Sequence, residues 1–560
     1  MGVTALSGAD AEALYVLVFG FGVLIASAVW FRLHPFFSLL LASTVVAMMT
    51  PRGVVERFFV RQQSWDKVWI NESSNTVLGI PPGHVPSRGT RLQVARILER
   101  QMVSIGELEV IGTKQGWTSA EPVGKFSLRE FQELTAQSVF VLPIDALPMI
   151  ARQRDRPAST RLADAFGKSF ADWGVLIALA CLIAKFLEES TAAEKIARFC
   201  LRVVADVRAV PGSGAWTLLL FGFVFAVPLG YVATMLALSA VARAMWSRSE
   251  SSFLKYMLFL HVGAWSAPSL SLPFSELPPG TSRFAFLTLG LVVGALAAAV
   301  GGVVVELLSR DYLQHRERAD VVNDLKDSHT IHDSCLPPLL MALLPLLVPA
   351  VVITVGTLAS GQIFGAKVPE QLRFFCRSVA SLPVALMIGV FVALVLTPSY
   401  RKTTWRKTVE KMNAALKAAG PLVLTAVAAG AFSQLVRQTD IGLKSLRLQS
   451  DSLPLGAAAN FFGATILETI TSAGVATIES TAGWAVRSQQ VPAVLLVLAA
   501  LAGTRFMLWF NDPEFWIATQ SSSMSEIEGI RYVSVVTAIL GFTMFLVACG
   551  GCLIITWFQP

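Results

Sequence analysis

A chain of 560 residues that is 54% hydrophobic and only 15% charged is not a water-soluble globule, whose charged share averages about 25%. Lipid needs no charged cover, so an integral membrane protein explains the deficit. The net charge of +7 then reads as basic cytoplasmic loops and not as a nucleic-acid footprint.

The apolar runs follow in chain order. Segments 13–31 and 35–50 come first, and 284–305, 336–365, 379–398, 420–434, 491–503 and 533–558 follow. Helices are the only option for such runs, because each backbone N–H must find its partner within the segment. About ten to twelve crossings or half-crossings are expected. Residues 1–12 carry Asp10 and Glu12 but no Lys or Arg. The basic region of a signal peptide is therefore missing, and 13–31 reads as a retained span.

Segment 56–166 differs from the rest. It is polar, of mixed charge, and punctuated by Pro81-Pro82-Gly83 and Pro86-Ser87-Arg88-Gly89. Apolar alternation at Leu108 to Ile111 and Val139 to Leu142 predicts strands, and the pattern from Leu92 to Val103 predicts a helix. The segment reads as a small soluble α/β insert.

Beyond it the chain repeats itself. Stretches 159–197 and 404–446 both open as amphipathic basic helices, become apolar at Gly174 and Gly420, reach Phe186 and Phe432, and turn polar. A Gly- and Thr-rich segment follows each (221–245 and 461–486). A segment broken by Pro and polar residues comes next (253–279 and 491–520). Apolar sequence aligns easily by chance, but the order of elements matches too. Repeated halves with interrupted hydrophobic segments point to a secondary transporter, with substrate at the interruptions. The domains expected are lead-in spans 1–55, the insert 56–166, a first repeat 167–308, linking spans 309–400 and a second repeat 401–560. The basic group Arg401, Lys402, Arg406, Lys407 and Lys411 is expected as a cytoplasmic loop.

The sharpest chemical signal is Asn511-Asp512-Pro513-Glu514-Phe515-Trp516. A carboxylate at membrane depth costs about 2.5–3.5 kcal/mol on insertion scales and calls for a partner or a function. Asp512 would carry a coupling proton, coordinate a cation or orient a substrate. The plainer reading is a helix N-cap with Pro513 in the first turn. Glu468 and Glu479 would share a face of a continuous helix rich in small and hydroxylated residues; close packing is the plainer reading there. Lys185 with Glu188 and Glu189 reads as an interfacial ion pair. His329 to Cys335 reads as a polar loop and not a metal site, and Cys549 with Cys552 as helix packing. A Walker loop is absent from the sequence, as is a nucleophile–base constellation. The reading is of a transporter and not an enzyme, without cofactor or metal.

Phe510 to Trp516 resembles the NDPGFW signature of the gluconate permease family, the GntP-type gluconate:proton symporters. His34 to Ala42 resembles its second-helix motif. Ala184 to Ser190 with Glu194 to Ala197 resembles its GKLLEDSGGAERIA stretch, Gly430 to Leu435 its GGAFKQVL, and Ser472 to Gly483 its GSATVAAITAGG segment. The resemblance implies an all-α polytopic membrane protein with two inverted repeats, broken or re-entrant helices and, here, the added α/β insert. It implies proton-coupled symport of a sugar acid or related hydroxy-carboxylate in a bacterial inner membrane. Taken with the residues themselves, the reading places substrate at Pro268, Ser269, Pro273, Thr471, Ser472, Gly474, Thr477, Asn511, Asp512 and Pro513, with Asp512 and Glu468 as the coupling candidates. The implied partners are a small anion, a proton or sodium ion and lipid, with no nucleic acid; self-association is left open. Three departures stand out. The family's HGFLPPHPGP loop aligns with Ala264 to Pro273, without its histidines. Pro228 replaces the glutamate of its YEVGF site. The arginine before its GSATVA run falls near Leu467, beside Glu468, so a cation is lost where an anion should bind. The alternative expected is a transport-inactive relative that acts as a receptor or scaffold through 56–166.

Overall fold

The computed structural model describes residues 8–71, 76–80, 86–98, 101–114, 117–123, 139–205, 214–248, 252–270, 282–311, 336–360, 368–401, 404–440, 453–472 and 493–558. The chain forms two compact units. One comprises 1–165 with 434–443, and the other 166–433 with 444–560.

The first unit opens with α1 (Gly8–Ile25), α2 (Pro35–Met49) and α3 (Arg52–Gln63). Pro51 breaks the run between α2 and α3, which meet at 95°. The insert follows as six strands: β1 (Asp66–Asn71), β2 (Thr76–Ile80), β3 (Arg91–Leu98), β4 (Gln101–Lys114), β5 (Trp117–Val123) and β6 (Val139–Pro143). They form one antiparallel sheet in the order β1-β2-β5-β4-β3-β6. The strands expected at 108–111 and 139–142 are present. The helix expected from Leu92 to Val103 is not: β3 and β4 stand there, paired Leu92 to Leu108. The cause is that both faces of the sheet are covered. Leu92, Val94, Leu108 and Val110 pack on Trp65. Ala95, Phe140 and Leu142 pack on Val60 of α3 and Ile150 of α4 (Leu147–Arg154). A bulge between Val94 and Ala95 removes the remaining alternation. Within this unit Arg61 binds Asp440 at 2.9 Å.

The second unit is helical. Its described helices are α5 (Ala158–Glu189, which enters from the first unit), α6 (Ala192–Ala205), α7 (Gly214–Trp246), α8 (Phe253–Ser266), α9 (Arg283–Asp311), α10 (Leu339–Ala359), α11 (Glu370–Val379), α12 (Leu382–Arg401), α13 (Trp405–Arg437), α14 (Leu453–Thr471), α15 (Ala493–Thr504), α16 (Pro513–Ser521) and α17 (Val535–Phe558). Among the described residues of the whole chain, seven helices are long and apolar enough to cross a membrane, or nine if each bent pair counts as one span. The basic group expected as a loop is mostly helical, since Arg401 ends α12 and Arg406, Lys407 and Lys411 lie on α13. Lys411 pairs with Glu189, and Lys185 lies 3.5 Å from Glu188 and 3.3 Å from Glu189. The Lys185 cluster is thus an ion-pair network between α5 and α13.

One long helix is not a rod. As a straight helix the 33 residues of α7 would reach about 50 Å. Yet a Cβ placed on Gly214, at its start, would lie 3.4 Å from the methyl of Met245, at its end. The helix folds back on itself. Pro228 removes a helical hydrogen bond, and Gly230 turns the chain at φ 72°, ψ 172°, a conformation open to glycine alone. It is a re-entrant hairpin with its tip at 227–231.

Candidate functional site

The described residues of the second repeat match the first arm, the turn and the following helix of this arrangement. A Cβ on Gly263 of α8 would collide with the carbonyl oxygen of Leu219 in the first arm of α7, and one on Gly503 of α15 with that of Phe461 in α14. Bare glycine lets the paired helices cross backbone to backbone. The step from Leu219 to the left-handed Gly230 equals the step from Phe461 to Ser472, which stands at φ 41°. Next come matching ties. The Leu270 N–H, in the break after α8, donates to the carbonyl of Val227 at 2.7 Å. Asn511, in the break after α15, donates from Nδ2 to the carbonyls of Thr469 and Ile470 at 3.1 and 3.2 Å. Each tip is therefore tied at the same position by the break of the following helix.

The register that aligns Gly263 with Gly503 also aligns Trp265 with Arg505, and these two residues touch. Trp265 Nε1 donates to the Arg505 carbonyl at 3.0 Å, and the Arg505 guanidinium lies 4.5 Å from the centroid of the indole ring. They line one pocket with Ser266 and Pro268. Buried Tyr231, at the tip of α7, shares a 2.8 Å hydrogen bond with His261 Nδ1, and His261 stacks on Trp265.

Acidic residues close the cluster. Asp512 is 8% exposed and Glu468 9%. Asp512 lies within electrostatic reach of Glu468, Glu514 and Arg505, and Tyr231 feels Asp512, Glu514 and Arg505. The plain reading of Asp512 holds in part: it caps α16, its Oδ1 accepting from the Glu514 N–H at 2.8 Å, with Pro513 in the first turn. The preceding helix ends at Thr504, so Pro513 starts α16 and does not break α15.

The structure thus gathers Glu468, Thr471, Ser472, Asn511, Asp512 and Pro513 around the end of α14, and places Pro268 in the adjoining pocket. Ser269 is buried in the break after α8. Thr471 hydrogen-bonds Leu467, and its carbonyl accepts from Ser433. The helix carrying Glu468 ends at Thr471, so it is not continuous toward Glu479. Pro273, Gly474, Thr477, Glu479 and His329 to Cys335 lie outside the described residues. Among the described residues no group of three or more His, Cys, Asp or Glu is arranged to hold a metal.

Sequence reasoning missed Arg505, Trp265, Ser266, Tyr231 and Glu514 as site residues. Arg505 was legible in principle, because it is the charge that closes the apolar run 491–503. A charge at membrane depth is itself a sign of a site.

Paired re-entrant and broken helices that meet at a buried polar cluster define a membrane transport protein. The chain belongs to the GntP permease family, since the model of the GntP family permeases matches residues 157–554. It is 25% identical over 392 residues to an uncharacterized permease of Haemophilus influenzae, covering 65% of this chain and 76% of that one. It is 25% identical to the inner membrane permease YgbN of Escherichia coli, covering 67% and 84%. It is 24% identical to a gluconate permease of Pseudomonas aeruginosa, with the same coverage. The matched region starts beyond β6, the last strand of the insert.

Proposed function

We propose that the protein is a secondary active transporter that carries a sugar acid such as gluconate, or a related small hydroxy-carboxylate, with protons across a bacterial inner membrane. The observation that carries this reading is the meeting of the two repeats at Trp265 and Arg505, beside Asp512, Glu468 and Glu514. A guanidinium supplies attraction for an anion. Glu468 and Glu514, both within electrostatic reach of Asp512, add to its repulsion of an arriving anion and repel Asp512 itself. A proton taken up by one of them relieves both repulsions, so proton and anion favour each other's binding. That is the thermodynamic content of symport. Asp512 and Glu468 are the proposed coupling groups. Pro268, Ser269, Thr471 and Ser472 are the described residues proposed to line the substrate's path. By family resemblance the repeats are inverted; with the 401–411 group in the cytoplasm, that inversion puts segment 56–166 on the outer side.

The test is uptake of labelled gluconate into proteoliposomes under an imposed inward proton gradient. Uptake that follows the gradient and stops when an uncoupler collapses it supports the proposal. Gluconate uptake indifferent to the gradient would remove the coupling, and absence of uptake of any hydroxy-acid would remove the substrate class.

A further inference from the structure

We infer that Arg505 and Ser266 form the recognition pair for a 2-hydroxy-carboxylate, with the guanidinium taking the carboxylate and the Ser266 hydroxyl the adjacent hydroxyl group. This deepens the proposed function and rests on it.

Four observations carry the inference. Both residues line the same pocket. Among the described residues, Arg505 Nη1 and Ser266 Oγ are buried with no hydrogen-bond partner, and Ser266 is 3% exposed. Arg505 also has no ion pair there, although carboxylates stand within electrostatic reach. Its charge is instead held against the Trp265 ring at 4.5 Å, which leaves Nη1 free. A buried donor left unsatisfied is costly, and a planar guanidinium is the group suited to bidentate recognition of a carboxylate. A hydroxyl can both donate and accept, as a 2-hydroxyl group needs. The pocket's other walls, among them Gly290, Leu498 and Met544, are apolar. They supply no second cation, so the lining favours a monocarboxylate over a dicarboxylate.

The inference also answers a difficulty in the sequence. The resemblance lacks the family's arginine near Leu467. Arg505 supplies a cation from the second break, at the seam between the repeats.

The experiment measures equilibrium binding of labelled gluconate to the purified full-length protein in detergent, with competition by glycolate, acetate, malonate and sorbitol. Arg505→Gln should weaken gluconate binding at least tenfold, and Arg505→Lys less. Ser266→Ala should bring glycolate down to the level of acetate while acetate competition persists. Sorbitol and malonate should compete poorly throughout. Wild-type affinity in Arg505→Gln, or an unchanged preference for glycolate in Ser266→Ala, would overturn the assignment. The second arm decides the matter if Arg505→Gln does not fold. Binding lost in Arg505→Gln by a protein that shows no gradient-driven uptake would support the pair and overturn the transport reading. A folded wild type that binds no carboxylate would overturn both.

Discussion

Trp265 and Arg505 hold equivalent places in the two repeats and touch at the seam: Nε1 to carbonyl at 3.0 Å and guanidinium over indole at 4.5 Å. Symmetry-related positions meet where the repeat axis passes. A duplicated chain therefore brings the same position together from both halves, and here divergence has made one an aromatic platform and the other a cation. Replacing Trp265 with Leu removes the platform and the hydrogen bond together. A cation–π contact of this kind is worth about 0.5–2 kcal/mol and a net hydrogen bond about 1 kcal/mol. Thermal unfolding in detergent should register a loss of about 1–3 kcal/mol, and Trp265→Phe a smaller one. No shift in either variant would mean the contact is incidental.

The tips respond to glycine in opposite senses. Gly230 stands at φ 72°, ψ 172°, where any side chain costs about 1–3 kcal/mol. Gly230→Ala should be destabilised by that amount. Ser472 stands at φ 41°, a strained place for a residue with a Cβ, so Ser472→Gly should be neutral or more stable. Unfolding midpoints of the two variants, measured side by side, test this. A stable Gly230→Ala would mean the hairpin tip relaxes without the left-handed turn.

The helix crossings allow a controlled comparison. A methyl on Gly263 or Gly503 meets a backbone carbonyl that cannot move aside, whereas one on Gly167 or Gly420 meets nothing within 4 Å. Gly263→Ala and Gly503→Ala should lower the yield of monodisperse protein, by a destabilisation of about 1–3 kcal/mol or more. Gly167→Ala and Gly420→Ala should behave as wild type, since alanine is the better helix former. Size-exclusion profiles of the four variants decide it.

The sequence carried the membrane class, the repeat and the Asn511 to Pro513 motif, because each is written in local composition or spacing. It did not carry the hairpin in α7, since a 33-residue apolar run reads as one long span. The turn at Gly230 and the approach of Met245 to Gly214 show that it turns back. Nor did it carry the strands at 91–114. Val94 and Ala95 are neighbours buried on opposite faces of one sheet, which erases the alternation that marks a strand. Arg505 was visible as a stray charge, but its partner lies 240 residues away in sequence. Nothing local joins Arg505 to Trp265 until the register of the repeat is known.

Coupling is separable from capping at Asp512. Its Oδ1 receives the Glu514 N–H at 2.8 Å, and asparagine caps a helix about as well as aspartate. Asp512→Asn therefore keeps the start of α16 and deletes only the ability to hold and release a proton. If Asp512 carries the coupling proton, the variant should lose proton-driven accumulation of gluconate by tenfold or more. It should still exchange external for internal gluconate at equal concentrations, a process that needs no net proton movement. Asp512→Ala removes the cap as well and should lose about 0.5–2 kcal/mol of stability besides. Accumulation by Asp512→Asn at the wild-type level would assign coupling elsewhere, with Glu468 next in line. Loss of exchange along with accumulation, in a protein that unfolds at the wild-type temperature, would make Asp512 a binding residue instead.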